Sequence, residues 1–339
     1  MSKVFDLWKE VGGAFGPSGR EDAVRETIAG IAGAYIDDIT TDALGNLICR
    51  KKGAGKKVLF AAHMDSIGVV ATYIDENGFI RFSQVGGLYY ADLVNITVRF
   101  ANGTRGVISF EEKTPMKDMT LAHMFIDIGA KNAEEARKLV RIGDFAVFEA
   151  PRFEQNGVLC GPYLDNRIGC VTLLLMMEQL AETETENDLY FVFTAQEEVG
   201  LRGAGAAAFA VEPDVAIAVD VTDTGDLPEM KTAMAVEMGG GPAVKVMDRS
   251  VICSPAVCAG LEKAAELLAI DSPTGFTAKA AQWVKNEFEH LGFSAVLTQK
   301  GGVLITLGGE HAEDALFLEA HTDTLGGMVL PTTVNHRKM

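Results

Sequence analysis

The sequence is short of several features that would place it quickly. No apolar run approaches the roughly 20 residues that a bilayer-spanning helix needs, so no membrane segment is expected. Basic residues are outnumbered. Lys and Arg total 30 against 47 Asp and Glu, a formal net charge of −17, which argues against the basic face of a nucleic-acid binder. The five cysteines (Cys49, Cys160, Cys170, Cys253, Cys258) form no CxxC pair, so neither a thiolate metal site nor a disulfide framework is expected. Free thiols, together with an N-terminus that lacks an apolar signal core, lead to the expectation of a cytoplasmic protein.

What is present suffices for two domains. The chain has 339 residues, 48% of them hydrophobic, enough to bury a sizeable core. Ser18-Gly-Arg-Glu21 has the form of a capping box, predicting a helix with Val24, Ile28 and Ile31 on one face. "IDDITTDALGNLICRK" reads as paired strands around a turn at Gly45-Asn46, and "KVLFAAH" as a strand covered on both faces. Between about Ser66 and Arg152 the runs "GVVATYI", "FIRFSQV", "LVNITVRF" and "RGVISF" are short, β-rich and separated by turn residues. They predict a small β domain inserted into an α/β pattern, which resumes with the apolar helix of "GPYLDNRIGCVTLLLMMEQLAE".

The polar residues of interest stand where apolar runs end. His63 and Asp65 follow "KVLFAA", Glu197 and Glu198 follow "DLYFVFTAQ", Asp220 follows "VAIAV", and Asp165 precedes the long apolar helix. Open α/β sheets bind ligands at such strand ends. Singly these signals are weak, because acidic doublets on loops are usually solvated and a strand-end Asp is often a helix cap. Together, an imidazole among carboxylates suits Zn²⁺, Mn²⁺ or Co²⁺, since crowded carboxylates repel without a cation. A bridging Asp could hold two metals, and the Glu197-Glu198 doublet could divide into one ligand and one base.

From Met1 to about Ile270 the sequence resembles the glutamyl-aminopeptidase-like family of tetrahedral, self-compartmentalising metalloaminopeptidases. The resemblance lies in "AAHMDSIG", "GPYLDNRIGC", "FTAQEEVGLRGA" and "VDVTDTGD", in that order, with a β domain between the first two. It implies an α/β, mixed-sheet catalytic domain formed by residues 1–65 and 153–270, interrupted by a β-rich oligomerisation domain at 66–152. It also implies two divalent ions, with His63 and Asp220 on one, Glu198 on the other and Asp165 bridging. Glu197 would be the general base, and Asp65 would orient His63 from behind. A cis peptide would follow Asp165, with Arg167 and Gly169 supporting that turn. The implied substrates are peptides with free N-termini, and the implied partners are copies of the same chain, from dimer to dodecamer.

Beyond Ile270 the pattern changes. The family would continue to a His completing the second metal site; instead residues 271–339 resemble the start of a second member. Pro273-Thr-Gly275 answers Pro17-Ser-Gly19, and "LFLEAHTDTLG" answers "VLFAAHMDSIG", so His321 and Asp323 match His63 and Asp65. Of the other histidines, His290, His311 and His336 are candidates for the vacant ligand, and His123 is expected to be structural. Two functions follow: a working two-metal aminopeptidase, or a truncated or fused homologue acting as a non-catalytic assembly subunit. A carboxypeptidase or deacylase with similar acidic motifs ranks below both.

Overall fold

The computed structural model describes residues 2–115, 118–228, 234–270, 272, 277–307 and 320. Contacts divide the chain into two compact units, Met1–Asp223 and Thr224–Met339. Between Asp220 and Ser254 the described residues form turns, bends and one isolated bridge, Met247 to Ile252.

The first unit opens with α1 (Lys3–Gly13) and α2 (Asp22–Ala32), followed by β1 (Asp38–Thr41), β2 (Leu47–Lys51) and β3 (Lys57–His63). A barrel comes next: β4 (Gly68–Ile74), β5 (Ile80–Val85), β6 (Thr97–Phe100), β7 (Arg105–Phe110), β8 (Met124–Asp127), α3 (Ala133–Leu139) and β9 (Phe145–Glu149). Its strands close in the order β4-β5-β8-β7-β6-β9. Alternate residues point inward, so Val69, Ile80, Val98, Ile108, Met124, Ile126 and Ala146 form a separate buried core.

A hairpin, β10 (Phe153–Gln155) and β11 (Val158–Cys160), leads to α4 (Leu164–Leu180). β12 (Asp188–Thr194), α5 (Arg202–Val211) and β13 (Val215–Ala218) complete the unit. The main sheet has the order β1-β2-β12-β3-β13. β1-β2 and β2-β12 pair antiparallel, whereas β12-β3 and β3-β13 pair parallel. The sheet is therefore mixed, with β3 between two parallel neighbours and its C-terminal end beside that of β12.

The two faces of this sheet are covered unequally. On one, Phe5, Trp8 and Val11 of α1, Val24 and Ile28 of α2, and Cys170, Leu173, Leu174 and Met177 of α4 pack on Leu47, Cys49, Ala62, Phe191 and Phe193. On the other, Ala207 and Val211 of α5 cover Leu59 and Val192. No helix among the described residues is long and apolar enough to cross a membrane.

One local prediction fails for a physical reason. Ser18 does not cap α2; the N-cap is Glu21, without a side-chain capping bond. The Ser18 hydroxyl donates to Asp65 Oδ2 at 2.6 Å, and Glu21 accepts from Gly19 N and Gln196 N. Buried acceptors and donors from elsewhere in the chain outcompete the local box.

The second unit contains α6 (Pro255–Leu268), α7 (Ala278–His290) and a hairpin of β14 (Ser294–Leu297) with β15 (Val303–Thr306). Ala280, Ala281 and Ala295 are buried, and a Lys263–Glu287 ion pair links α6 to α7. His290 ends α7 with its side chain exposed, 3.7 Å from Glu287. His311, His321, Asp323 and His336 lie outside the described residues.

Candidate active site

Three chain segments meet at the C-terminal ends of the central strands. His63 is the last residue of β3, Asp165 stands in the first turn of α4, and Asp220 follows β13. One donor atom from each lies within 4.8 Å of the others. His63 Nε2 is 3.0 Å from Asp165 Oδ1, 3.8 Å from Asp220 Oδ1 and 3.8 Å from Glu197 Oε2. His63 is buried, while Asp165 and Asp220 are open to the crevice. The Asp165–Asn166 peptide bond is cis.

Behind His63 sits Asp65, wholly buried. Its Oδ1 is 3.4 Å from His63 Nδ1, and the same ring nitrogen is 3.3 Å from the Asp65 carbonyl. With Nδ1 engaged there, Nε2 is the nitrogen turned toward Asp165 and Asp220.

The loop after β12 is held by an unusual row of bonds. Four successive backbone N–H groups donate to side-chain oxygens: Ala195 to Asn46 Oδ1 at 2.8 Å, Gln196 to Glu21 Oε1 at 3.1 Å, Glu197 to Asp65 Oδ1 at 3.0 Å and Glu198 to Asp65 Oδ2 at 3.2 Å. Within this row Gln196 adopts the left-handed region, at φ 57. Such a conformation costs a non-glycine residue about 1–2 kcal/mol, and the four bonds hold it. Gly203 closes the loop against Ala195 and Asn46; a Cβ there would lie 2.4 Å from Ala195 O.

The Asp165 turn has its own supports. Asn166 Nδ2 donates to Val219 O at 2.8 Å, joining the turn to the residue before Asp220. Gly169 N donates to Asn166 Oδ1 at 3.1 Å. Arg167 is fully buried and donates to Val11 O at 2.8 Å and Gly16 O at 3.1 Å. Burial lowers its pKa, and carbonyls rather than carboxylates are its bonded partners. Its place is structural, tying α4 to the end of α1.

The electrostatics describe a site built around positive charge. Burial disfavours a charged His63, yet the bonds offered by Asp165 and Asp65 outweigh it and push the pKa up to about 11. Burial also opposes the charge on Asp65, but the partners His63 and Ser18 hold its carboxyl below the usual range. Glu198 is pushed up to about 7, by burial first and by the neighbouring Asp165 charge second. Glu197 is raised mainly by burial. Five carboxylates around one imidazole thus stay together only by keeping protons or by sharing a cation.

A divalent ion fits the donor set. Ligand atoms about 2.1 Å from one tetrahedral ion stand roughly 3.4 Å apart; the His63 separations from Asp165 and Asp220, 3.0 and 3.8 Å, lie on either side of that value. Among the described residues His63, Asp165 and Asp220 form the converging trio. Glu197 lies beside it, and Glu198 packs its side chain near Gly86 at the barrel's edge. Ser18, Glu21 and Asn46 were not singled out by sequence as parts of the site. Locally Ser18-Gly-Arg-Glu21 reads as a capping box and Gly45-Asn46 as a turn, and their polar residue types are the available signal.

The chain is similar to known proteins. A family model described as M42 glutamyl aminopeptidase matches residues 45–288. An Acetivibrio thermocellus protein, whose aminopeptidase name is itself provisional, is 51% identical over 264 residues, covering 78% of this chain and 79% of its own. The TET aminopeptidase of the marine sediment archaeon Thaumarchaeota archaeon SCGC AB-539-E09 superposes with a TM-score of 0.75 at 33% identity over 79% of each chain. The TET1 peptidase of Pyrococcus horikoshii, which can assemble into a tetrahedron or a large octahedral shell, does so with a TM-score of 0.71 at 33% identity, over 79% of this chain and 82% of its own.

Proposed function

This chain belongs to the M42 glutamyl aminopeptidase family and is a metal-dependent aminopeptidase, and we propose that Glu197 moves the proton in its reaction. The observation that carries this reading is the position of Glu197: its Oε2 lies 3.8 Å from His63 Nε2, beside the trio but outside it. Held by its own N–H on Asp65, it can face the crevice without being a ligand.

In this reading His63, Asp220 and Asp165 would hold one divalent ion and Glu198, with Asp165 near it, would serve a second; Zn²⁺, Co²⁺ and Mn²⁺ would all suit the donors. When bound, divalent ions supply Lewis acidity that polarises a peptide carbonyl and acidifies water. Glu197 takes the proton of the attacking water and returns it to the leaving amine. Burial raises its pKa, a shift in the direction that favours holding a proton between the two transfers. Asp65 keeps the His63 ring turned so that Nε2 faces the crevice, and Asn166 keeps the Asp165 and Asp220 segments in register.

Substrates are peptides with a free N-terminal amine, whose charge suits a crevice lined by Asp165, Asp220 and Glu198. Self-association of the chain is supported by the shells its structural relative forms, and the barrel is the element that would mediate it. The free cysteines support a cytoplasmic setting. The test is a matched pair of substrates, an aminoacyl p-nitroanilide and its N-acetyl derivative, assayed with the metal-loaded chain and with Glu197→Gln. Hydrolysis of the free amine alone, lost by about 10²–10⁴-fold in the variant while metal is retained, is the expected result. Equal cleavage of the blocked substrate, or an unimpaired variant, would refute it.

A further inference from the structure

Apart from the metal trio, the first unit contains a cavity of about 390 Å³ between the end of α1 and the barrel. Its polar walls are Arg99, Arg105, Arg152, Glu149 and Tyr163, with the Gly12 backbone at one side. Three guanidiniums against one carboxylate leave two positive charges uncompensated. In a chain of net charge −17, such a concentration of arginine runs against the overall composition.

The bonds already made do not use up these cations. Arg99 Nε donates to Glu149 Oε1 at 2.9 Å, and Arg105 Nε to Glu149 Oε2 at 2.6 Å. Arg99 also reaches Gly13 O at 3.4 Å, and Arg152 Nη2 donates to Gly12 O. Capping the carbonyl end of α1 therefore accounts for one bond from each of two arginines. Arg105, exposed at the mouth, adds a second and longer bond from Nη2 to Glu149 Oε1 at 3.4 Å, so the donor left over is Arg152 Nε, which is buried and has no acceptor. A guanidinium has five donors in a fixed fork suited to carboxylates and phosphates. Burial and the neighbouring Arg99 charge both weigh against the Arg152 cation, as expected where a counter-anion is wanted.

We propose that this cavity binds a small molecule carrying a doubly charged oxyanion, a dicarboxylate or a phosphate ester, with Arg152 and Arg99 gripping the anion and Arg105 guarding the mouth. The volume is that of a small-molecule site rather than of a single ion. The ligand would touch Tyr163, whose hydroxyl accepts the Phe148 N–H and whose backbone is left-handed, at φ 65, two residues before Asp165. An occupied cavity would therefore brace the turn that carries Asp165.

Trp8 provides the readout, because the Arg152 guanidinium lies 5.9 Å from the centroid of its ring. Metal-loaded protein carrying Trp283→Phe, which leaves Trp8 as the sole tryptophan, is titrated with succinate, with inorganic phosphate and with chloride at constant ionic strength. A saturable change in Trp8 emission with at least one dianion and none with chloride is expected. The affinity should fall about tenfold or more in Arg152→Gln and in Arg99→Gln. Preference for succinate or phosphate tells a carboxylate ligand from a phosphoryl one. No saturation by about 20 mM dianion would overturn the proposal. So would equal affinity in the variants, which would move the anion to the metal cluster. Should Arg152→Gln fail to fold, Arg105→Gln decides, its side chain being largely exposed: unchanged affinity there would also overturn it.

Discussion

The Asp65 carboxylate accepts the backbone N–H of Glu197 at 3.0 Å while lying 3.4 Å from His63 Nδ1. One buried group thus sets both the imidazole and the loop of the proposed base. Asp65→Asn keeps the size but replaces an acceptor oxygen with a donor that must face His63, Ser18 or the loop amides. Metal affinity is expected to fall about 10–100-fold, the usual cost of losing a carboxylate behind a ligating histidine. Competition with a chromophoric chelator measures it. An unchanged affinity would remove Asp65 from this role.

Glu21 offers a cleaner separation of shape from charge. Its Oε1 accepts from Gly19 N at 2.7 Å and Gln196 N at 3.1 Å. Glu21→Ala leaves both amides without that acceptor and should cost about 1–3 kcal/mol, along with a lower kcat through the displaced loop. Glu21→Gln keeps an acceptor oxygen and should be close to the parent in both. Denaturant unfolding and steady-state kinetics read the pair; equal damage in the two variants would mean that charge, not the acceptor, is what matters.

The protonation of His63 predicts how metal affinity varies with pH. Folding raises its pKa to about 11, so the metal-free protein keeps a proton on the imidazole throughout neutral pH. That proton stabilises the metal-free fold fully below the unfolded pKa, about 6.5, and the contribution is lost as pH rises through the folded value. Metal binding must expel it, so affinity should rise about tenfold per pH unit between about pH 7.5 and 9. Below about 7, Glu198 also holds a proton and the slope should steepen. Proton release on metal addition in weakly buffered solution measures this directly. A flat affinity across that range would exclude His63 as a ligand.

Gly169 and Gly13 make a matched pair of backbone tests. A Cβ on Gly169 would come 2.2 Å from Asn166 Oδ1, the atom that accepts the Gly169 N–H, while a Cβ on Gly13 would meet nothing within 4 Å. Gly169→Ala should cost about 1–3 kcal/mol as overpacking and should loosen metal binding, because Asn166 also anchors Val219 beside Asp220. Gly13→Ala should leave both unchanged. Thermal unfolding with and without metal distinguishes them, and a neutral Gly169→Ala would show that the turn can rearrange freely.

The strands that end at the site were readable because buried parallel strands are continuous apolar runs, and their ends are easy to locate. "KVLFAAH" is β3 and "DLYFVFT" is β12, which pair in register from Lys57 and Asp188 to His63 and Thr194. That parallel pairing brings the two ends to one edge. The runs "GVVATYI", "FIRFSQV" and "RGVISF" contain β4, β5 and β7, though alternation alone carries no information about closure. Ser18 and Glu21 were misread because the capping-box pattern is local, whereas their partners lie 47 and 175 positions away. The arginine cavity was invisible for the same reason: Arg99, Arg105 and Arg152 come from the barrel and from the chain leaving it, and only folding gathers them against α1.

Closure of the barrel has a consequence for how copies of this chain could be joined and separated. A closed ring of strands presents no row of idle backbone donors and acceptors, so it cannot recruit another chain by extending a sheet. Any adhesion through it must be written in side chains alone. Such a contact is editable: one or two charge reversals on the outer faces of β5 or β7 could dissolve an assembly into free subunits whose hydrophobic interiors and candidate-site strand ends are left as they were.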